Sequence, residues 1–174
     1  MQAYQDDRLD RAEQIAGYGF SARSLLREAL QTPGPGVLTA GDRSIIDGNK
    51  TLALLGDRVL GTLLVEAMVI ENLEARGEFI FDNEISAVSF PFKRLTWTML
   101  GAIDAQLQRA VNNVRLAEIF DTFDFLECLN LNPSQGRAIG ARTKADTIEA
   151  IIGAAYLDGG LDAARLVATR LGIL

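Results

Sequence analysis

The spacing of apolar residues along the chain is helical almost throughout. Apolar side chains recur every three or four positions, which is the period of one face of an α-helix. On this basis we predict helices over residues 8–17, 21–31, 50–75, 93–111, 114–123, 143–157 and 162–171. Segment 78–82 (EFIFD) is either a linker or a short strand, and it is too short to found a sheet. The pattern therefore predicts one all-α domain of seven to nine helices spanning residues 1–174.

Turn-forming and capping residues separate the predicted helices. Pro and Gly are concentrated in Thr32–Gly36 (TPGPG), and loops are expected over 32–41, 132–140 and 158–160. A side-chain oxygen at a helix start can accept a hydrogen bond from a free backbone N–H group. The candidate N-caps on this criterion are Ser21, Asn112 with Asn113, and Asp162.

Segment 50–75 is the longest predicted helix and should be the central element of the fold. Its middle is apolar on nearly every side, which is typical of a buried helix. Charged residues such as Asp57 and Glu66 interrupt its most apolar stretch, and because charges at that depth are unfavourable in lipid, we expect a core helix and not a membrane span. The first twenty residues are acidic and resemble no targeting segment. A soluble intracellular location is expected.

The composition excludes several classes of site. The chain has 174 residues, with 17 Lys+Arg, 23 Asp+Glu, one Cys and no His. Without histidine there can be no Ser-His-Asp or Cys-His catalysis and no His-ligated zinc or haem. The single cysteine, Cys128, excludes an internal disulfide and is expected to be a small core residue. Carboxylates, hydroxyls, Lys, Arg and an oxygen-liganded metal remain available for chemistry.

Three acidic residues interrupt apolar helical segments. Asp57 lies within 52–60 (LALLGDRVL), and Asp146 and Glu149 lie within 144–153 (KADTIEAIIG). Asp146 and Glu149 are three residues apart, so their carboxylates share one face of one helix. Convergent carboxylate oxygens are the ligands that Mg²⁺ prefers. Most acidic pairs at this spacing are solvated, so a solvated surface and a metal site both remain open interpretations.

Two longer motifs containing these acids resemble the signatures of the ribonuclease III family. Segment 49–60 (NKTLALLGDRVL) resembles N-E-R-L-E-F-L-G-D-A-V-L, and segment 145–160 (ADTIEAIIGAAYLDGG) resembles A-D-x-F-E-A-L-I-G-A-x-Y-L-D-G-G. Lesser matches follow in the family's order at 17–20 (GYGF), 25–30 (LLREAL), 111–113 (VNN) and 116–119 (LAEI). The resemblance covers about residues 13–172.

The resemblance implies an all-helical endonuclease for double-stranded RNA that depends on Mg²⁺ or Mn²⁺. It also implies a homodimer that packs segment 49–60 and its surroundings across a two-fold axis. In the family four acids hold the metal, and three of these positions correspond to Asp57, Asp146 and Glu149. These three residues are therefore the expected catalytic residues and metal ligands. The fourth position is Ala53, which has no oxygen to offer.

Ala53 leaves two functions open. One is weak or altered cleavage, because a water could replace one carboxylate on Mg²⁺, which commonly keeps several waters. The other is a catalytically inactive ribonuclease III-like protein that serves in RNA or protein binding. The same motif also departs from the family at Lys50, Thr51 and Leu54, where a Glu, an Arg and an aromatic residue are usual.

Other residues have a functional and a structural interpretation. Arg142 could pair with a metal-bound phosphate, although an exposed position is favoured, and Arg58 could pair with acids of a partner subunit or extend into solvent. Lys93 and Arg94 lie near several aromatic residues and could form an RNA surface, although helix packing is favoured. Gly56 and Gly153, which lie inside helices, are expected at places of close helix approach, because glycine costs a helix about 1 kcal/mol relative to alanine.

The charge balance limits how RNA could be bound. The formal net charge is −6, which argues against a protein that binds polyanions over its whole surface, although a local basic face is compatible with it. The chain ends at Leu174, shortly after the last predicted helix, so no double-stranded-RNA-binding domain is expected. RNA affinity should then come from the nuclease domain itself and should be weak and salt-sensitive.

Overall fold

The described part of the chain is built from helices. The computed structural model describes residues 2–34, 39–40, 43–45, 47–75, 112–131, 136 and 138–174. Its helices are α1 (Gln2–Ala16), α2 (Arg23–Ala29), α3 (Lys50–Ala75), α4 (Asn113–Thr122) and α5 (Ala141–Arg170), with a 3₁₀ helix at Phe125–Cys128. The all-α prediction is confirmed. The segments predicted at 78–82 and 93–111 lie outside the described residues, as do Lys93 and Arg94.

Two local predictions need correction. The segment expected to be a loop from 32 to 41 contains β1 (Thr39–Ala40), which pairs antiparallel with β2 (Arg43–Ser44). Strands of two residues are too short to show an alternating pattern, so the sequence carried no signal for them. Ser21 is not the N-cap of α2, because the cap position is Ala22 and no side chain caps it. The N-cap predicted at Asn112 is confirmed, since its side chain accepts a hydrogen bond from the Arg115 backbone N–H at 2.9 Å.

The core lies between α3 and α5, which contact each other more extensively than any other pair of described elements. Helices α4 and α2 pack against the same α5. The side chains buried here are mainly aliphatic and include Leu52, Leu60, Leu63, Ile148, Ile151, Ile152 and Val167. No helix among the described residues has both the length and the apolar character that crossing a bilayer requires.

Helices α3 and α5 cross with their backbones in contact. A Cβ atom added to Gly56 would overlap the carbonyl oxygen of Glu149, and one added to Gly153 would overlap the carbonyl oxygen of Leu52. The two glycines therefore remove the side chains that would hold the helices apart. The close approach expected at Gly56 and Gly153 is confirmed.

The break predicted at 158–160 occurs as a kink within α5. Gly159 (φ −140°, ψ 15°) and Gly160 (φ 74°, ψ −163°) depart from helical geometry, and the positive φ of Gly160 is one that glycine adopts without steric cost. Just before the kink, the Asp158 carboxylate accepts hydrogen bonds from the Tyr18 hydroxyl at 2.8 Å and from the Ser21 and Ala22 backbone N–H groups at 2.9 and 2.7 Å. The kink is thus fixed to the turn between α1 and α2.

Candidate active site

The three acids singled out in the sequence lie around one pocket. Asp57 comes from the second turn of α3, and Asp146 and Glu149 come from the first turns of α5. The pocket has a volume of about 410 Å³ and is lined by Lys50, Ala53, Leu54, Asp57, Asn113, Arg142, Asp146 and Glu149. The fold therefore brings together residues that are about 90 positions apart in the chain.

The glycine crossing positions two of these acids. Asp57 directly follows Gly56, and the Glu149 backbone lies against Gly56. Because no side chain separates the helices at this point, Asp57 on one helix and Glu149 on the other line the same pocket. Packing of the core and placement of the acids thus depend on the same contact.

Asn49, immediately before α3, holds the start of this helix against its neighbours. Its side chain is fully buried and donates to the Ala29 carbonyl oxygen at 3.1 Å and to the Thr147 hydroxyl at 3.4 Å. Thr147 follows Asp146 on α5. Asn49 therefore links the end of α2, the start of α3 and the acid-bearing turn of α5.

The electrostatic environment favours protonation of two acids. Burial, together with the nearby carboxylates of Asp57 and Asp146, raises the pKa of Glu149 to about 7, whereas Arg142 opposes the change. Burial also raises the pKa of Asp146, and here both Arg142 and Lys50 oppose the change. Burial is the largest cause of the raised pKa of Glu149, and repulsion from the neighbouring carboxylates adds to it.

Positive groups share the pocket with the acids. Lys50 and Arg142 both line it, and both are exposed. Arg142 is exposed, as the favoured interpretation expected, and it also lines the pocket. Its pairing with a metal-bound phosphate stays a prediction. Arg58 does not line this pocket: its side chain is 78% exposed, and its guanidinium lies 3.3 Å from the Asp57 carboxylate.

A hydrated divalent cation fits this donor set better than a bare one. In the described part of the chain, no three His, Cys, Asp or Glu side chains converge closely enough to hold a metal by themselves. Ala53, which is buried, adds no oxygen. Mg²⁺ usually keeps several waters, so carboxylates that line one pocket without converging can hold it partly through water. Such a cation would also relieve the repulsion that raises the pKa of Glu149.

Sequence reasoning missed two contributors to the site. Asn113 was considered only as a helix cap, yet it lines the pocket at the start of α4. Asn49 was considered only as the first letter of a motif, yet it ties three elements together. The sequence signal that could have identified Asn49 is a polar residue directly before an apolar helix, because such a residue needs hydrogen-bond partners if it is buried. Nothing local to Asn113 in the sequence indicated a site.

In sequence, the chain is similar to curated proteins named Ribonuclease 3. The chain is 29% identical over 158 residues to Ribonuclease 3 of Jannaschia sp. (strain CCS1), covering 89% of this chain and 57% of that protein. It is 34% identical over 167 residues to Ribonuclease 3 of Solibacter usitatus (strain Ellin6076), covering 88% of this chain and 51% of that protein. The chain thus spans about half the length of these curated relatives. No family model matches it.

Solved structures share the fold. The nuclease domain of ribonuclease III from Campylobacter jejuni, described for structural flexibility in a region involved in dimer formation, superposes with a TM-score of 0.65 at 21% identity and covers 94% of both chains. A second structure of that nuclease domain gives a TM-score of 0.64. The resemblance to the ribonuclease III family inferred from the two motifs is confirmed by named relatives and by fold.

Proposed function

We propose that this relative of ribonuclease III is an endoribonuclease that hydrolyses phosphodiester bonds of double-stranded RNA with Mg²⁺ or Mn²⁺. The observation that carries the proposal is the single pocket that collects Asp57, Asp146 and Glu149 from two crossing helices. The relatives named Ribonuclease 3 supply the substrate class. The chemistry also agrees with a chain that has no histidine, because carboxylates and a metal suffice for phosphodiester hydrolysis.

Asp57, Asp146 and Glu149 would hold the metal in this pocket. When bound, the ion would neutralise charge on the scissile phosphate and acidify an attacking water. The three residues differ in environment. The side chain of Asp57 is 37% exposed, whereas burial and the charges of Asp57 and Asp146 all raise the pKa of Glu149. We assign Glu149 the position nearest the reacting phosphate, because it is the acid that feels the charges of both Asp57 and Asp146 and therefore lies between them in the ligand set.

We further propose that the chain acts as a homodimer through the exposed face of α3. A groove of about 670 Å³ runs along this face, and most of its surface is apolar. It is lined by Asp57, Arg58, Gly61, Thr62, Val65, Glu66 and Val69. Val65 is 38% exposed there. The comparison protein from Campylobacter jejuni, which has the same fold, is described as forming a dimer.

A catalytically inactive RNA- or protein-binding role is the second candidate. The observation that favours it is the composition of the pocket, in which Ala53 contributes no ligand and two cations face three acids. Both candidates require the same fold. They differ in whether the pocket can assemble a working metal centre.

Cleavage of long double-stranded RNA in Mg²⁺ or Mn²⁺ separates the two candidates. We expect the wild type to cut, Glu149→Gln to lose at least about a hundredfold in rate because a ligand is lost, and Ala53→Glu to cut faster. Glu118→Gln, an exposed residue of α4, is the matched control and should cut like the wild type. An inert wild type whose activity appears only in Ala53→Glu supports the inactive role, and cutting unchanged in Glu149→Gln rejects the proposed site.

A further inference from the structure

Among the described residues, Lys50 and Arg142 are the cationic side chains that line the acid pocket. Lys50 is the first residue of α3, and Arg142 is the second residue of α5. Both share one pocket with the carboxylates of Asp57, Asp146 and Glu149, and they bring positive charge to it.

Neither cation forms an ion pair with another described residue. In the described part of the chain, other basic residues near carboxylates form direct pairs, such as Arg58 with Asp57, Lys144 with Asp121 and Arg165 with Glu66. Among these same described residues, no carboxylate lies within ion-pair distance of Lys50 or Arg142. The ammonium of Lys50 thus remains available to an anion that enters the pocket.

The charge of the pocket bears on its capacity for metal. Among the described residues of the pocket, the three acids supply at most three negative charges, and Lys50 and Arg142 supply two positive charges. One divalent cation already exceeds the negative charge that these described residues leave. A second cation would add further repulsion. Ala53, which stands where the family has its fourth acid, lines the pocket but offers this cation no ligand.

We propose that Lys50 is a phosphate-binding residue of this pocket and that its fixed charge limits the pocket to one divalent cation per chain. The proposal rests on the proposed function for the nature of the anion, an RNA backbone phosphate. The compact positive charge of the Lys50 ammonium would hold the phosphate in position. Because the same carboxylates attract both this ammonium and the metal, Lys50 would weaken metal binding. Loss of its charge should therefore affect metal and RNA in opposite directions.

The metal arm of the test is a calorimetric titration of the full chain with Mn²⁺ in the absence of RNA. We expect one Mn²⁺ per chain in the wild type and a roughly threefold to tenfold tighter site in Lys50→Gln, because a neighbouring positive charge has been removed. Lys144→Gln is the charge-matched control: Lys144 is two residues from Asp146 but pairs with Asp121 outside the pocket. It should bind Mn²⁺ like the wild type. Two Mn²⁺ per wild-type chain would overturn the proposal.

The RNA arm uses a short fluorescein-labelled RNA duplex with EDTA, so that neither metal nor cleavage contributes. Lys50→Gln should weaken binding and reduce the slope of log affinity against log salt by about 0.9, the contribution of one phosphate contact. Lys50→Arg should restore both values, and Lys144→Gln should leave them unchanged. Weaker binding of both Mn²⁺ and RNA in Lys50→Gln, or no change in either, would overturn the proposal. Because neither arm measures cleavage, a wild type that binds as expected but does not cut overturns only the proposed function.

Discussion

Asp158 shows how one carboxylate can fix two distant parts of the chain. Burial opposes its ionisation, but hydrogen bonds from the Ala22 and Ser21 backbone and from the Tyr18 hydroxyl outweigh burial and lower its pKa. Burial and the same bond to Asp158 raise the pKa of Tyr18 to about 12. The pKa of Tyr18 rises because its hydroxyl donates a hydrogen bond and keeps its proton, and the pKa of Asp158 falls because its carboxylate accepts that bond and stays ionised.

Asp158→Asn should therefore destabilise the fold in a pH-dependent way. The folded-state pKa lies below the unfolded-state value, so the ionised carboxylate stabilises the protein above about pH 4, and the effect is lost as the pH falls through the folded-state pKa. At pH 7 we expect a loss of about 1 kcal/mol in the free energy of unfolding, and a smaller loss for Tyr18→Phe, which keeps two of the three bonds. Urea unfolding at pH 7 and at a series of decreasing acidic pH values measures this. A loss for Asp158→Asn that does not become smaller as the pH is lowered would contradict the assigned hydrogen bonds.

At the residue scale, the sequence identified the acids but not their surroundings. Asp57, Asp146 and Glu149 could be selected because each interrupts an apolar helix, and the fold places all three around one pocket. Arg142 was a candidate, although an exposed position was favoured for it, but Asn113 could not be selected, because it is an exposed polar residue like many others on the surface. Their role follows only from which helices pack against one another.

At the element scale, the crossing of α3 and α5 carries both the core and the site. The bounds of α3 were predictable, because an apolar run of this length between a polar start and Gly77 has few alternatives to a helix. That Gly56 and Gly153 mark a close approach was also predictable. The sequence did not show that Gly56 and Gly153 lie at the same crossing, because this depends on the register in which the two helices pack.

Substitution of Gly56 tests this crossing. In Gly56→Ala the new methyl group would meet the Glu149 carbonyl oxygen, so the helices must separate, and we expect a loss of at least about 2 kcal/mol in the free energy of unfolding. Gly61→Ala is the matched control on the same helix, because a Cβ there meets nothing within 4 Å, and it should gain about 0.5–1 kcal/mol from helix propensity. Thermal and urea unfolding compare the two. Similar effects of both substitutions would mean that the backbones are not in contact at Gly56.

At the scale of the whole molecule, the net charge of −6 opposes the proposed binding of RNA. Long-range repulsion would slow the approach of RNA, so affinity would depend on positive charge placed locally. The pocket concentrates Lys50 and Arg142 at the acids, and a homodimer would present two such pockets to one duplex. Dimerisation would therefore raise RNA affinity by avidity without a basic surface overall.

Substitution of Val65 tests whether the groove along α3 is the dimer interface. We expect the wild type to be a dimer at micromolar concentration by light scattering, and Val65→Asp to be a monomer, because an unpaired carboxylate would be buried among the apolar atoms of the groove. Val114→Asp is the matched control, since Val114 is 64% exposed on α4 and does not line the groove, and it should remain a dimer. If Val65→Asp folds with an unchanged helical content and is still a dimer, the interface lies elsewhere. A monomeric wild type would contradict the homodimer itself, and the RNA affinity of the chain would then have to come from a single pocket.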